Sequence, residues 1–80
     1  MHLDEHSHTP FYRQLEAQLR EGIESGTYPT GSRLPSIRGL AADLGCARNT
    51  VEQAYHLLVQ EGYVASRPGS GYVVQNVAYL

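Results

Sequence analysis

Lysine is absent from this 80-residue chain, and cysteine occurs only once. Without lysine, no side chain here can form a Schiff base with a carbonyl cofactor or substrate. A single cysteine cannot staple the fold through an internal disulfide. No apolar run approaches the roughly 20 residues of a membrane-spanning helix. The first residues, Met1-His2-Leu3-Asp4-Glu5-His6, carry neither a basic n-region nor an apolar h-region, so they do not form a secretory signal. Also missing are a nucleophile–base constellation and a glycine-rich phosphate loop opening a helix. The expectation is a soluble, cytoplasmic protein that is not an enzyme and has no membrane partner.

Charge is sparse as well. Acidic and basic side chains make up 18% of the chain and leave a formal net charge of -2. That sum argues against a polyanionic partner until the charges are located. Residues 1–32 hold Arg13 and Arg20 against Asp4, Glu5, Glu16, Glu21 and Glu24. Residues 33–80 hold Arg33, Arg38, Arg48 and Arg67 against Asp43, Glu52 and Glu61, so the second part is slightly basic. Every basic residue is arginine, whose planar fork suits bidentate contact with phosphate or guanine. Four arginines form a thin electrostatic footprint, so binding by one copy is expected to be weak and salt-sensitive.

Hydrophobic residues amount to 41%, enough for one small core. A chain this short buries only roughly 60% of its unfolded surface, so a partner chain adds useful stability. Residues 1–8 are polar, with three histidines, and are expected to be a disordered tail. A metal site from His2, His6 and His8 with Asp4 and Glu5 needs a fixed ligand geometry, and nothing in the segment supplies it. The domain is expected over residues 9–74, with 75–80 a linker or tail.

Thr9-Pro10 reads as an N-cap followed by proline at the first helical position. Tyr12, Leu15, Leu19 and Ile23 then recur at helical spacing, and Gly26 is placed to end the helix in the left-handed region. Tyr28-Pro29-Thr30-Gly31-Ser32 is a turn, and Arg33-Leu34-Pro35 is extended because the residue before proline avoids the α region. Ser36 caps a short second helix with Ile37, Leu40, Ala41 and Leu44 on its core face and Gly45 at its end. Gly39 inside it costs about 1 kcal/mol relative to alanine.

A third helix is expected from Arg48 to about Glu61. Val51, Ala54, Tyr55 and Leu58 face inward, while Asn49, Gln53, His56 and Gln60 form an uncharged hydrogen-bonding face. Amide side chains can pair with adenine edges in a major groove, although many solvated helix faces share this composition. The link from the second helix is only Leu44-Gly45-Cys46-Ala47, the tight turn of a helix-turn-helix. Cys46 fills the core as a small apolar group or, at a helix start, acts as a redox-sensitive thiol. Beyond Gly62, Tyr63-Val64-Ala65 and Tyr72-Val73-Val74 flank Ser66-Arg67-Pro68-Gly69-Ser70-Gly71, which reads as a hairpin with a glycine-rich basic tip. The expected fold is mainly α with a small β-hairpin: a winged helix-turn-helix of three helices and a two-stranded wing.

The ordered series Tyr12-Arg13-Gln14-Leu15, Gly31-Ser32-Arg33-Leu34-Pro35-Ser36, Arg38, Leu40-Ala41, Leu44-Gly45, Arg48-Asn49-Thr50-Val51, Ala54-Tyr55, Glu61-Gly62-Tyr63 and Ser66 to Gly71 resembles the DNA-binding domain of the GntR family of bacterial transcription regulators. Asn49-Thr50-Val51 with Ala54-Tyr55 and the Ser66–Gly71 tip look most like its MocR branch. That branch joins the domain to an aminotransferase-like domain binding pyridoxal phosphate. The resemblance implies an N-terminal module of a longer protein or of a short relative, a double-stranded operator as partner, and a homodimer in the parent. It implies no cofactor in this chain. It assigns Arg38, Ser36 and Thr50 to phosphate, with Arg38 also able to reach a guanine and Arg33 assisting. Arg48 and Asn49 act at the start of the recognition helix, joined by Gln53 from the polar face. Arg67 and Gly69 approach the minor groove. Two positions depart from the family: Ala47 stands where serine or threonine caps the helix, removing about 0.5–2 kcal/mol, and Gly39 replaces a glutamate. The alternative from another class is a winged helix that binds proteins and not DNA.

Overall fold

The computed structural model describes residues 2–77. Three helices precede a hairpin: α1 (Phe11–Ser25), α2 (Ile37–Leu44), α3 (Arg48–Gln60), β1 (Val64–Arg67) and β2 (Gly71–Val74). This is the expected winged helix-turn-helix. The expected linker or tail over 75–80 is described only as far as Val77; residues 78–80 lie outside the described residues, as does Met1 of the expected N-terminal tail.

The start of α1 is displaced by one residue from the expectation. Pro10, not Thr9, is the N-cap, with φ -58 and ψ 150, and no side chain caps the helix. The extended ψ holds Pro10 outside the first turn. Its carbonyl still accepts from the amides of Arg13 and Gln14, both at 3.1 Å. The Thr9 carbonyl is occupied by Gln14 Nε2 at 2.7 Å. At the far end Gly26 adopts φ 89 and its N–H reaches the Ile23 carbonyl, as its sequence position implies.

Ser36 caps α2 as expected, its Oγ accepting from the Gly39 amide at 3.0 Å. Gly45 closes α2 at φ 67, and its N–H meets the carbonyls of Ala41 and Ala42. The chain then enters α3 after three residues. α1 packs mainly on α3, and α2 also packs on α3. Leu15, Leu19, Ile23, Leu40, Ala41, Val51, Ala54, Tyr55 and Leu58 fill the space between them. Tyr12, Ile37 and Leu44, expected on the core faces, are only half-buried.

The wing strands are antiparallel, with Val64 opposite Val74 and Arg67 opposite Gly71. They run further into the tip than the apolar runs suggest, because Ser66 and Arg67 also pair. The turn is Pro68-Gly69, with Gly69 at φ 78 and the Ser70 amide bonded to the Arg67 carbonyl at 3.0 Å. Proline followed by a positive-φ glycine suits a type II turn. The 31–34 segment also joins β2. Gly31 donates to the Val74 carbonyl at 2.8 Å, Val74 to Ser32 at 2.8 Å, and Leu34 to Tyr72 at 2.9 Å. The wing is thereby fastened to the segment that leads into α2, and Leu34, Val64 and Val74 close that side of the core.

Candidate nucleic-acid interface

α3 turns Val51, Ala54, Tyr55 and Leu58 inward. Helical geometry then fixes what remains outside: Arg48, Asn49, Gln53, His56 and Gln60 are exposed, and Thr50 is half-buried. The face expected to read bases is therefore open to solvent. Glu52 is the one acidic side chain exposed along it. The helix start is bare, since Ala47 sits at φ -70, ψ 146 and makes no side-chain cap bond.

Arg33, Arg38, Arg48 and Arg67 are all exposed. Among the described residues none of the four joins an ion pair; the guanidinium so engaged is that of Arg20, on α1. Ser36 caps α2 through an oxygen lone pair, which leaves its O–H free to donate outward. At the wing tip, Arg67 and Gly69 are exposed with Pro68 and Ser70. A groove of about 590 Å³ runs between the Arg33–Ile37 segment and the Gly69–Tyr72 side of the wing. It brings Arg33, Ser36 and Gly69 to one place. A smaller cleft of about 280 Å³ is bordered by Tyr12, Gln53, His56 and Gln60. Tyr12 thus edges the outer face of α3, with the Arg13 guanidinium 5.7 Å from its ring centre.

Tyr55 holds these pieces in register. Its side chain is fully buried, and its hydroxyl donates to the Pro35 carbonyl at 2.6 Å. Its ring meets that of Tyr72 edge-on, with centres 4.9 Å apart. One side chain on α3 therefore touches both the approach to α2 and the wing. Burial, reinforced by Tyr28 and Tyr72, pushes its hydroxyl well above the ordinary tyrosine range, so it remains a neutral donor. Sequence periodicity places Tyr55 inside but gives no sign of these two partners.

A second feature missed from sequence is Glu16, buried at 5% exposure on the inner side of α1. Arg20 Nη1 lies 3.2 Å from Glu16 and 3.7 Å from Glu61. Burial, and then the neighbouring Glu61 carboxylate, raise the Glu16 pKa above the ordinary range, while Arg20 opposes the shift. The signal available beforehand was the i, i+4 spacing of Glu16 and Arg20. Cys46 is half-buried against the core beside Leu44. Among the described residues, no three His, Cys, Asp or Glu side chains gather as a metal site requires, and no helix is long and apolar enough to cross a membrane.

Residues 11–74 match the family described as bacterial regulatory proteins, gntR family. The chain is 46% identical over 69 residues to the probable rhizopine catabolism regulatory protein MocR of Rhizobium meliloti, covering 86% of this chain and 14% of that protein. The structure of YtrA from Sulfolobus acidocaldarius, a GntR-family transcription factor, superposes with a TM-score of 0.88 at 40% identity, covering 96% of this chain and 81% of that one. AraR(DBD) in complex with operator ORE1 is similar at a TM-score of 0.79 and 26% identity, over 90% of this chain and 88% of that one.

Proposed function

Because this chain belongs to the gntR family of bacterial regulatory proteins, we infer that it is the DNA-reading module of a transcription regulator. The observation that carries the reading is the set of four exposed arginines that, among the described residues, join no ion pair, on elements packed around an exposed and largely uncharged helix face. α3 enters the major groove. There Arg48 addresses guanine, while Asn49 and Gln53 address adenine through their amides. Arg33, Ser36, Arg38 and Thr50 hold phosphates and fix the register. Arg67 and Gly69 lie along the minor groove, where the absence of a side chain at Gly69 permits close approach. The operator complex of AraR(DBD), similar over 90% of this chain, supports a DNA operator as the partner.

The chain spans 14% of the length of MocR. The parent regulator is proposed to be a homodimer, whose two copies of α3 sit one helical turn apart, about 34–36 Å. Pairing doubles a footprint that is thin in one copy. The MocR resemblance brings pyridoxal phosphate into question, and the residues here do not fit it: the chain has no lysine to anchor the cofactor. Such a cofactor belongs to another part of the parent protein.

The test is selection of duplexes from a random pool by the wild-type chain, then salt-titrated binding to the selected duplex. The two arginines assigned to phosphates, Arg33 and Arg38, give a slope of log K on log salt of about -1.8 per copy. Arg38→Ala and Arg48→Ala each weaken binding. Equal affinity of all three proteins overturns the assigned contacts, and salt-independent association favours a protein-binding winged helix.

A further inference from the structure

The recognition helix begins without a side-chain cap. Ala47 supplies only its carbonyl, which accepts from the Thr50 amide at 3.0 Å. The neighbouring α2 has the serine cap that α3 lacks. The base-reading residues Arg48 and Asn49 stand on this uncapped turn. Its position therefore depends on whatever holds the short Gly45–Ala47 link.

The N-terminal segment borders a cleft that this link also lines. Two glutamines on one face of α1, four residues apart, clasp its backbone. Gln14 Oε1 accepts from the Asp4 amide at 2.7 Å, and Gln14 Nε2 donates to the Asp4 carbonyl at 2.9 Å and the Thr9 carbonyl at 2.7 Å. Gln18 Nε2 donates to the His2 carbonyl at 2.6 Å. The Gln14 amide thus pairs with Asp4 as a neighbouring strand would. The segment also bonds to itself. His6 donates its amide to Asp4 Oδ1 at 2.9 Å, Ser7 to the Asp4 carbonyl at 3.3 Å, and Thr9 to Ser7 Oγ at 3.1 Å. Leu3, inside this otherwise exposed stretch, is half-buried and packs on the core. It faces a cleft of about 300 Å³ whose other wall is Asp43, Leu44, Gly45 and Cys46, with Phe11 adjoining.

We propose that residues 2–9 form a strap that compensates for the missing cap of α3, bracing the α2–α3 link through Leu3 so that Arg48 and Asn49 are held in position for base reading. Leu3 and Gln14 are positioning residues; neither is assigned a contact with DNA. The proposal rests on the DNA-reading function inferred above. It also extends the role of residues 1–8 beyond that of an unstructured tail.

Amide hydrogen exchange on the 80-residue chain tests the bracing without DNA. In Leu3→Ser and in Gln14→Ala, the amides of Cys46 and Thr50 exchange about tenfold faster, while those of Leu34 and Val74 keep their rates. Leu3→Met restores the wild-type rate, because volume and apolarity are preserved. Adding Ala47→Ser, which installs the missing cap, makes Leu3→Ser nearly silent at Thr50. Uniform acceleration across all four amides, no acceleration, or full additivity with Ala47→Ser overturns the proposal. Gln14→Ala leaves the core intact and decides the matter if Leu3→Ser does not fold. A second arm measures binding to the duplex selected by wild type and to a scrambled duplex. Gln14→Ala loses affinity for the selected duplex about fivefold and keeps its affinity for the scrambled one; equal losses on both refute positioning. Failure of the wild-type chain to select any duplex sinks the DNA-reading function, and the exchange rates still decide the strap.

Discussion

Replacing Tyr55 by phenylalanine removes one oxygen and nothing else from the centre of the fold. The ring remains to meet Tyr72 edge-on. What is lost is the donor to the Pro35 carbonyl at 2.6 Å, from a side chain with no exposed surface. Pro35 itself is exposed, so its carbonyl regains some hydration. The cost therefore falls near the lower part of the range for an orphaned acceptor, about 1.5 kcal/mol at pH 7. For a domain of this size that lowers Tm by about 9 °C. The same hydroxyl gives the effect a pH signature. Its pKa is raised in the folded state above the ordinary value of 10.0. Above pH 10 the unfolded wild type loses this proton and the folded form keeps it. Stability is then lost as pH rises, by about 1.4 kcal/mol at pH 11. Tyr55→Phe lacks this loss. Urea melts followed by far-UV circular dichroism should show the variant less stable at pH 7 and the two proteins equal near pH 11. A gap under about 0.5 kcal/mol at pH 7, or a gap that stays constant to pH 11, refutes the argument.

Three further outcomes follow from the same structure. Glu16→Gln removes a carboxyl whose folded pKa is raised, so wild type loses stability as pH rises from the unfolded value through the folded one. Urea melts at pH 4 and pH 7 should show the variant gaining on wild type at pH 7, and the opposite trend means that the Arg20 ion pair dominates. Gly22→Ala places a methyl 2.7 Å from two ring carbons of Tyr28. The clash outweighs the roughly 1 kcal/mol of helix propensity gained, for a net loss of about 1 kcal/mol, and a higher Tm shows instead that the ring yields freely. Arg67→Ala, at an exposed site, leaves Tm unchanged but weakens binding to the selected duplex several-fold; unchanged affinity removes Arg67 from the minor-groove contacts.

What could be read from sequence was local. Ser36 and Gly39 are three residues apart, and a cap needs nothing beyond that reach. Gly26 and Gly45 end their helices because a left-handed residue there satisfies carbonyls of the preceding turn. The α3 pattern divides buried from exposed residues at 100° per residue, which exposes Asn49 and Gln53 without reference to the rest of the chain. Tertiary partners were illegible. Tyr55 and Pro35 are 20 residues apart, and no pattern at either end names the other. The 31–34 segment is extended because of Pro35, but its pairing with β2 depends on where the wing folds back. Glu16 follows Leu15 on α1, and only the approach of α3 with Glu61 buries it. Thr9 has the chemistry of a cap, yet Gln14 takes its carbonyl and Pro10 stands at the helix boundary.

The negative net charge becomes compatible with a DNA partner once the charges are placed along α3. Arg48 opens the helix and Glu61 caps its end, thirteen helical residues away at about 1.5 Å each, or roughly 20 Å. At physiological salt the screening length is about 8 Å, so the two ends have largely independent fields. The acidic end is also partly neutralised within the fold, since Arg20 lies within ion-pair distance of both Glu16 and Glu61, and the Tyr63 hydroxyl donates to Glu24 at 3.1 Å. Among the described residues, the arginines on α2, at the start of α3 and on the wing join no ion pair. Glu61 is a carboxylate that a phosphate at the Arg48 end scarcely feels, whereas exposed Glu52, one turn or about 6 Å from Arg48, subtracts from the charge there. The local charge at that end, together with the number of phosphates reached, sets the electrostatic part of the affinity.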